Sequence, residues 1–245
     1  MHLRKRIFIV LFTAFLCFGL FSCKTAPTIA DLTPTPAATA TPTATPSPTP
    51  TPTPTATPEP NVHDFVPGTI DENGYHSDFF RFGFLVPSKW MVYDRSAVNE
   101  QNQIDSTETN QETIRKTLIM KLKTDVNLVD FISFSHDNKG YMFLFVSDFN
   151  STEYDVNTEA KALEYFEPSL FAPENNSYRE NLEKTRMTLG GVERPVYRYD
   201  LMDNGEAKKG LIFAVQRGTT FALIEMAAVT QDEIEYVLKS VYTLP

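Results

Sequence analysis

From Thr25 to Pro60 the chain is built almost wholly of threonine, proline and alanine, and no charged residue falls between Asp31 and Glu59. Such a stretch has too few large apolar side chains to offset the entropy of ordering, so it is expected to stay outside any packed core. Closely spaced prolines bias it toward polyproline II, at about 3.1 Å per residue, which makes a semi-rigid spacer of roughly 100 Å at full extension. The 245 residues are thereby divided into a leader at 1–22, a linker at 23–61 and a portion at 62–245 that can fold. That last portion, roughly 180 residues, is long enough for one core to bury most of its apolar surface.

The leader reads as an export signal. Arg4, Lys5 and Arg6 form a positive start, and Ile7 to Leu20 is an apolar run too short to span a bilayer comfortably. It ends in "LFSC", Leu20-Phe21-Ser22-Cys23, which resembles the lipobox of bacterial lipoproteins. Leu20 and Ser22 fit that pattern, while the bulky Phe21 departs from it. The resemblance implies that the Cys23 sulfur receives a diacylglyceryl group and that cleavage just before it makes Cys23 the new N-terminus. Two acyl chains, at about 0.8 kcal/mol per buried CH₂, hold a protein on a membrane where one holds only marginally. The competing reading is an ordinary signal peptide cut near Ser22 with an incidental cysteine. That a tether follows the cysteine, in place of a fold, favours lipidation.

Lys24 is not the aspartate that commonly keeps Gram-negative lipoproteins at the inner membrane, and a long spacer suits a thick wall. The expected location is thus the outer face of the cytoplasmic membrane of a Gram-positive bacterium. Cys17 would leave with the leader, so Cys23 would be the one thiol of the mature chain. A disulfide, a cysteine metal cluster or a cysteine nucleophile in the folded part is then excluded. Charge excludes more: 31 acidic residues outnumber 22 basic ones, three of which lie in the leader. A surface of that sign repels nucleic acid and anionic headgroups.

Strands and a few helices are expected in the folded part. "DFFRFGFLVPSKW" places Phe80, Phe82, Phe84 and Val86 on one face of a strand, with Phe79 and Leu85 on the other, and Pro87 ends it. "VDFISFSHDNKGYMFLFVSDF" reads as a hairpin around "SHDNKG" whose second strand is apolar on both faces, hence central. "RMTLGGVERPVYRYDL", "AKKGLIFAVQ" and "TTFALIEMAAV" read as antiparallel strands joined at Gly190-Gly191, Asn204-Gly205 and "RGT". The last helix opens with a capping box, Thr230 and Glu233, and buries Ile234, Val237, Leu238 and Val241. A second starts near Thr158, buries Leu163 and Phe166, and is expected to end by Pro168. A third is expected over about Glu108 to Lys121, although "TLIMKLK" also suits a strand. Ser96 to Asn110 reads as a polar loop.

A strand closing in "VPSKW", a sheet of hairpins, a middle helix and a last strand running into "TQDEIEYVLKSVYTLP" together resemble the PsbP-like family, named for an extrinsic photosystem II subunit. Pro87, Trp90 and the terminal helix carry most of the resemblance, which spans about Tyr75 to Leu244. It implies an α+β fold, an antiparallel sheet packed between helices. It implies little about function, since fold and function separate readily, although members mostly act as non-catalytic binding or assembly modules.

Few residues argue for catalysis. His63, His76 and His136 are not spaced as metal ligands, and neither a nucleophile elbow nor a phosphate-cradling glycine loop occurs, so no metal or cofactor is expected. His136 beside Asp137 reads as a polar turn. Glu225, inside "FALIEMAAV", is the best candidate for a poised carboxylate, but is expected to face solvent near the strand's end. Trp90 and the phenylalanines read as core rather than a ligand groove, and Lys208-Lys209 as a solvated strand edge. The preferred function is a membrane-anchored module that binds an envelope protein or component. An envelope hydrolase with an acidic or histidine site, or a small-ligand binder, is the alternative.

Overall fold

The computed structural model describes residues 62–105, 107–124, 127–150, 155–172 and 177–245. The chain divides into units at Met1–Pro58 and Glu59–Pro245, and the described residues belong to the second. The leader, Cys23 and the Thr/Pro linker lie outside them.

The strands form two sheets. A small one joins β1 (Thr69–Asp71), β2 (Gly74–Ser77), β3 (Phe82–Leu85) and β11 (Tyr242–Thr243) in the order β1-β2-β3-β11. The large one contains β4 (Trp90–Val92), β5 (Leu128–Ser135), β6 (Tyr141–Asp148), β7 (Ser177–Leu189), β8 (Val192–Asp203), β9 (Glu206–Arg217) and β10 (Thr220–Ala228). Its order is β4-β5-β6-β10-β9-β8-β7, and every pairing is antiparallel. Two-residue turns explain the run from β7 to β9. Gly190 and Gly191 have φ of 58° and 82°, and Asn204 and Gly205 have 51° and 82°. A tight hairpin needs such left-handed pairs to match the twist of its strands. "SHDNKG" turns β5 into β6 as expected.

Four helices occur among the described residues: α1 (Arg95–Gln101), α2 (Gln111–Leu122), α3 (Glu159–Leu170) and α4 (Gln231–Ser240). One face of the large sheet packs with α2, α4 and the small sheet, through Ile114, Leu118, Val237, Leu238, Tyr75 and Phe84 against Phe131, Leu144, Phe213 and Ile224. The other face packs with α3, through Ala162, Leu163 and Phe166 against Tyr197, Ile212, Phe221 and Leu223, and with α1, through Val98 against Ile132 and Phe143. The result is the expected α+β fold with an antiparallel sheet between helices.

Three local expectations are corrected. Ser96 to Asn110 is not all loop, because Asp94 accepts from the Ala97 N–H at 2.9 Å and caps α1, and Val98 anchors it. The helix begun at Thr158 passes Pro168 and ends at Leu170. Pro168 lies in its last turn, where the chain is about to leave helical geometry, and Phe171 N–H still bonds Glu167 at 2.9 Å. Finally, β3 is shorter than expected: Phe79 and Phe80 are buried from the preceding turn, and Leu85 is exposed. The segment over Gln111–Leu122 resolves to helix, capped by Asn110, which accepts from Glu112 and Thr113.

Candidate functional site

β10 lies between β6 and β9 and is buried at all nine positions. Alternation sends Phe221, Leu223, Glu225 and Ala227 toward the α3 layer and Ala222, Ile224 and Met226 toward α4. Glu225 is 6% exposed. The expectation that it faces solvent is therefore corrected: it sits mid-strand at the centre of the sheet, where neither face meets water.

A buried carboxylate needs donors, and three long-range ones converge on Glu225 Oε1. Arg179 Nη2 donates at 2.7 Å, Tyr199 Oη at 2.8 Å and Tyr141 Oη at 3.2 Å. Arg179 enters from β7, and its Nη1 also donates to the Leu170 carbonyl at the C-terminal end of α3, where a cation meets the negative end of the helix dipole. Its guanidinium lies 5.5 Å from the Tyr199 ring centroid. Tyr199 is opposite Gly210 on β9, and a Cβ there would stand 2.1 Å from the Tyr199 ring. The glycine thus lets the ring lie across β9 and present its hydroxyl to β10.

Burial first, and then the Glu225 charge, push both phenols well above the usual tyrosine range. Burial disfavours a charged Arg179, but the Glu225 carboxylate and the two phenols outweigh it and hold the guanidinium protonated. Two neutral phenols and a cation, all donating to Oε1, make a donor cage on one side of the carboxylate. The sheet also carries a second cage. Asp130, at the β5 bulge, takes Arg95 Nη1 at 2.6 Å, Tyr75 Oη at 2.6 Å and Gly68 N–H at 3.0 Å, and so ties α1 and the small sheet to the large one.

A groove of about 220 Å³ lies between the β7–β8–β9 surface and the start of α4, lined by residues including Glu183, Arg198, Asp200, Lys209 and Gln231. Most of its charged groups are paired: Lys209 bonds Asp200 at 2.5 Å, Asn181 bonds Asp200 at 2.9 Å, and Arg198 bonds Glu235 at 3.2 Å. Glu225 does not line it.

The other candidates disperse. His136 is exposed in the β5–β6 turn, and Asp137 accepts from the Ser135 hydroxyl at 2.6 Å. His63 is exposed beside Lys123, and His76 lies half-buried in β2. Among the described residues no three His, Cys, Asp or Glu side chains gather as a metal site. Trp90 is core, its Nε1–H donating to Glu233 Oε1 at 3.0 Å at the start of α4. The solvated-edge reading of Lys208-Lys209 is corrected: β9 is flanked on both sides, and Lys208 is 5% exposed with its ammonium 2.7 Å from Asp203. Only Lys209 of the two reaches solvent.

No protein-family model matches the sequence, and no curated protein does. Among solved structures, the chain is similar to cyanobacterial PsbP (CyanoP) from Synechocystis sp. PCC 6803, at 12% identity and a TM-score of 0.41, over 71% of this chain and 94% of that one. It is similar to LpqN, involved in cell envelope biogenesis of Mycobacterium tuberculosis, at 11% identity and 0.38, over 67% and 83%. A Bacteroides thetaiotaomicron VPI-5482 protein matches at 9% and 0.38, over 72% of this chain and 50% of that one. The first belongs to the family that the sequence resembles. Likenesses this distant carry no argument about activity or partner, and the architecture rests on the sheet order itself. No helix among the described residues is long and apolar enough to cross a membrane.

Proposed function

We propose that this protein is a lipid-anchored extracytoplasmic module that binds or assembles an envelope component without catalysing a reaction. Cys23 carries the diacylglyceryl anchor on the outer face of the cytoplasmic membrane of a Gram-positive bacterium, and the Thr/Pro linker holds the domain away from the lipid. The observation that favours binding over hydrolysis is the state of Glu225. The best catalytic candidate in the sequence is enclosed by Arg179, Tyr141 and Tyr199, which all donate to one of its oxygens. A general acid or base must instead reach the proton it transfers.

In-cell crosslinking of the anchored protein, followed by mass spectrometry, tests the reading. One dominant envelope protein, captured reproducibly and lost when exposed domain residues are changed, is expected. Hydrolysis of an envelope polymer that Glu225→Gln abolishes while the fold persists would replace this reading with the hydrolase one.

A further inference from the structure

The two edges of the large sheet are managed differently. β4 is three residues long, while β7 runs for 13, and among the described residues no strand pairs with its outer side. Shortness is a common defence of an edge against stray pairing, and β7 does without it. A register shift between Glu180 and Glu183, with Asn181 at φ 53°, distorts its first half. From Glu183 to Leu189 the pairing with β8 is unbroken.

The Gly190-Gly191 turn determines which groups on that stretch are free. Residues flanking a two-residue hairpin turn exchange both backbone bonds, and such pairs then alternate along the ladder. Leu189, Met187 and Thr185 therefore direct their N–H and C=O at Val192, Arg194 and Val196. Lys184, Arg186 and Thr188 direct theirs outward. Their side chains share the face of Tyr197, Pro195 and Glu193, and Lys184 Nζ stands 5.0 Å from the Tyr197 ring centroid. The Lys184 and Arg186 side chains are about half exposed; Lys184 pairs with Glu167 at 2.7 Å and Arg186 with Glu193 at 2.9 Å. Exposed pairs of this kind are weak and screened by water, so another carboxylate can compete for either cation.

We propose that the Lys184–Thr188 edge of β7 docks an extended strand of a different protein. Its carboxylates stand at alternate positions opposite Lys184 and Arg186, with apolar side chains between them beside Thr185 and Met187. Main-chain bonds to the three free rungs supply affinity, and the two cations select the sequence. A second copy of this chain fits poorly. The antiparallel self-register that uses all three rungs centres on Arg186 and sets its guanidinium against its own copy.

The inference rests on the binding-module reading and can fail without it. The probe is an eight-residue capped peptide alternating Glu and Val, with a Lys/Val peptide as control, titrated calorimetrically into full-length protein in detergent. Thr188→Pro removes one outward N–H, leaves both cations in place and spares the pairing with β8; Lys184→Glu/Arg186→Glu keeps the rungs and reverses the charge. The Glu/Val peptide is expected to bind, to lose affinity by about tenfold in Thr188→Pro, and to give way to the Lys/Val peptide in the charge-reversed variant. Binding of neither peptide at millimolar concentration, equal binding of both, indifference to the charge reversal, or dimers held through this edge would overturn it. If the captured partner of the in-cell experiment survives both variants, the module reading stands and the edge is not its site.

Discussion

Glu225→Ala would leave the Arg179 guanidinium buried without its counter-ion, a loss of roughly 3–5 kcal/mol for a broken buried pair. Removing both charges with residues of similar volume, Glu225→Leu with Arg179→Met, is expected to cost far less than the two single changes added together. Denaturant unfolding of the singles and the double measures that coupling, and simple additivity would contradict the cage described for Glu225. The cage was not read from the sequence, where Glu225 was expected to face solvent. The signal that could have placed it is the run Phe221–Ala228, apolar on both faces apart from Glu225, which suits a central strand covered twice. Its donors could not be read, because Arg179, Tyr199 and Tyr141 lie 46, 26 and 84 residues away and meet only through the strand order. Lys208 was hidden for the same reason: its neighbours on either side depend on which strands flank β9.

At the level of elements, the β8–β9 hairpin carries two acid-labile carboxylates, Asp200 and Asp203. Hydrogen bonds from Lys209 and Asn181 hold the Asp200 carboxyl below its ordinary value. Burial raises that of Asp203, but bonds from Lys208 and Ser177 outweigh it and leave the net shift downward. A depressed folded value means that the unfolded chain binds protons first. The stabilisation is therefore complete above the ordinary carboxylate range, roughly pH 4, and is lost as pH falls through the folded values. Glu159 acts in the opposite sense, since burial outweighs its pairing with Arg194 and raises its value. Its share of stability increases as pH falls through that raised value. Melting temperatures between pH 3 and 6 should fall more steeply in the wild type than in Asp200→Asn/Asp203→Asn, and parallel curves would contradict the assignment. Tight turns were the most legible elements, because Asn204-Gly205 and Gly190-Gly191 carry their own requirement for left-handed backbone. The α1 helix was the least legible, since one buried valine in seven residues gives no periodicity and only Asp94 signals its start.

At the scale of the whole molecule, composition separates tether from domain, and hairpin signals account for much of the large sheet. The division of helices between its faces was not readable, because it depends on how β10 inserts between β6 and β9. The account holds that a single thiol fastens this module to a membrane and that everything after the linker serves contact with a partner. The most direct test is mass spectrometry of the N-terminal peptide from membrane-fractionated protein, alongside Cys23→Ala. The account predicts a mature chain beginning at Cys23 with a diacylglyceryl group on its sulfur, and a variant that is released or left uncleaved. An unmodified Cys23, or a Cys23→Ala protein that stays processed and membrane-bound, would contradict it.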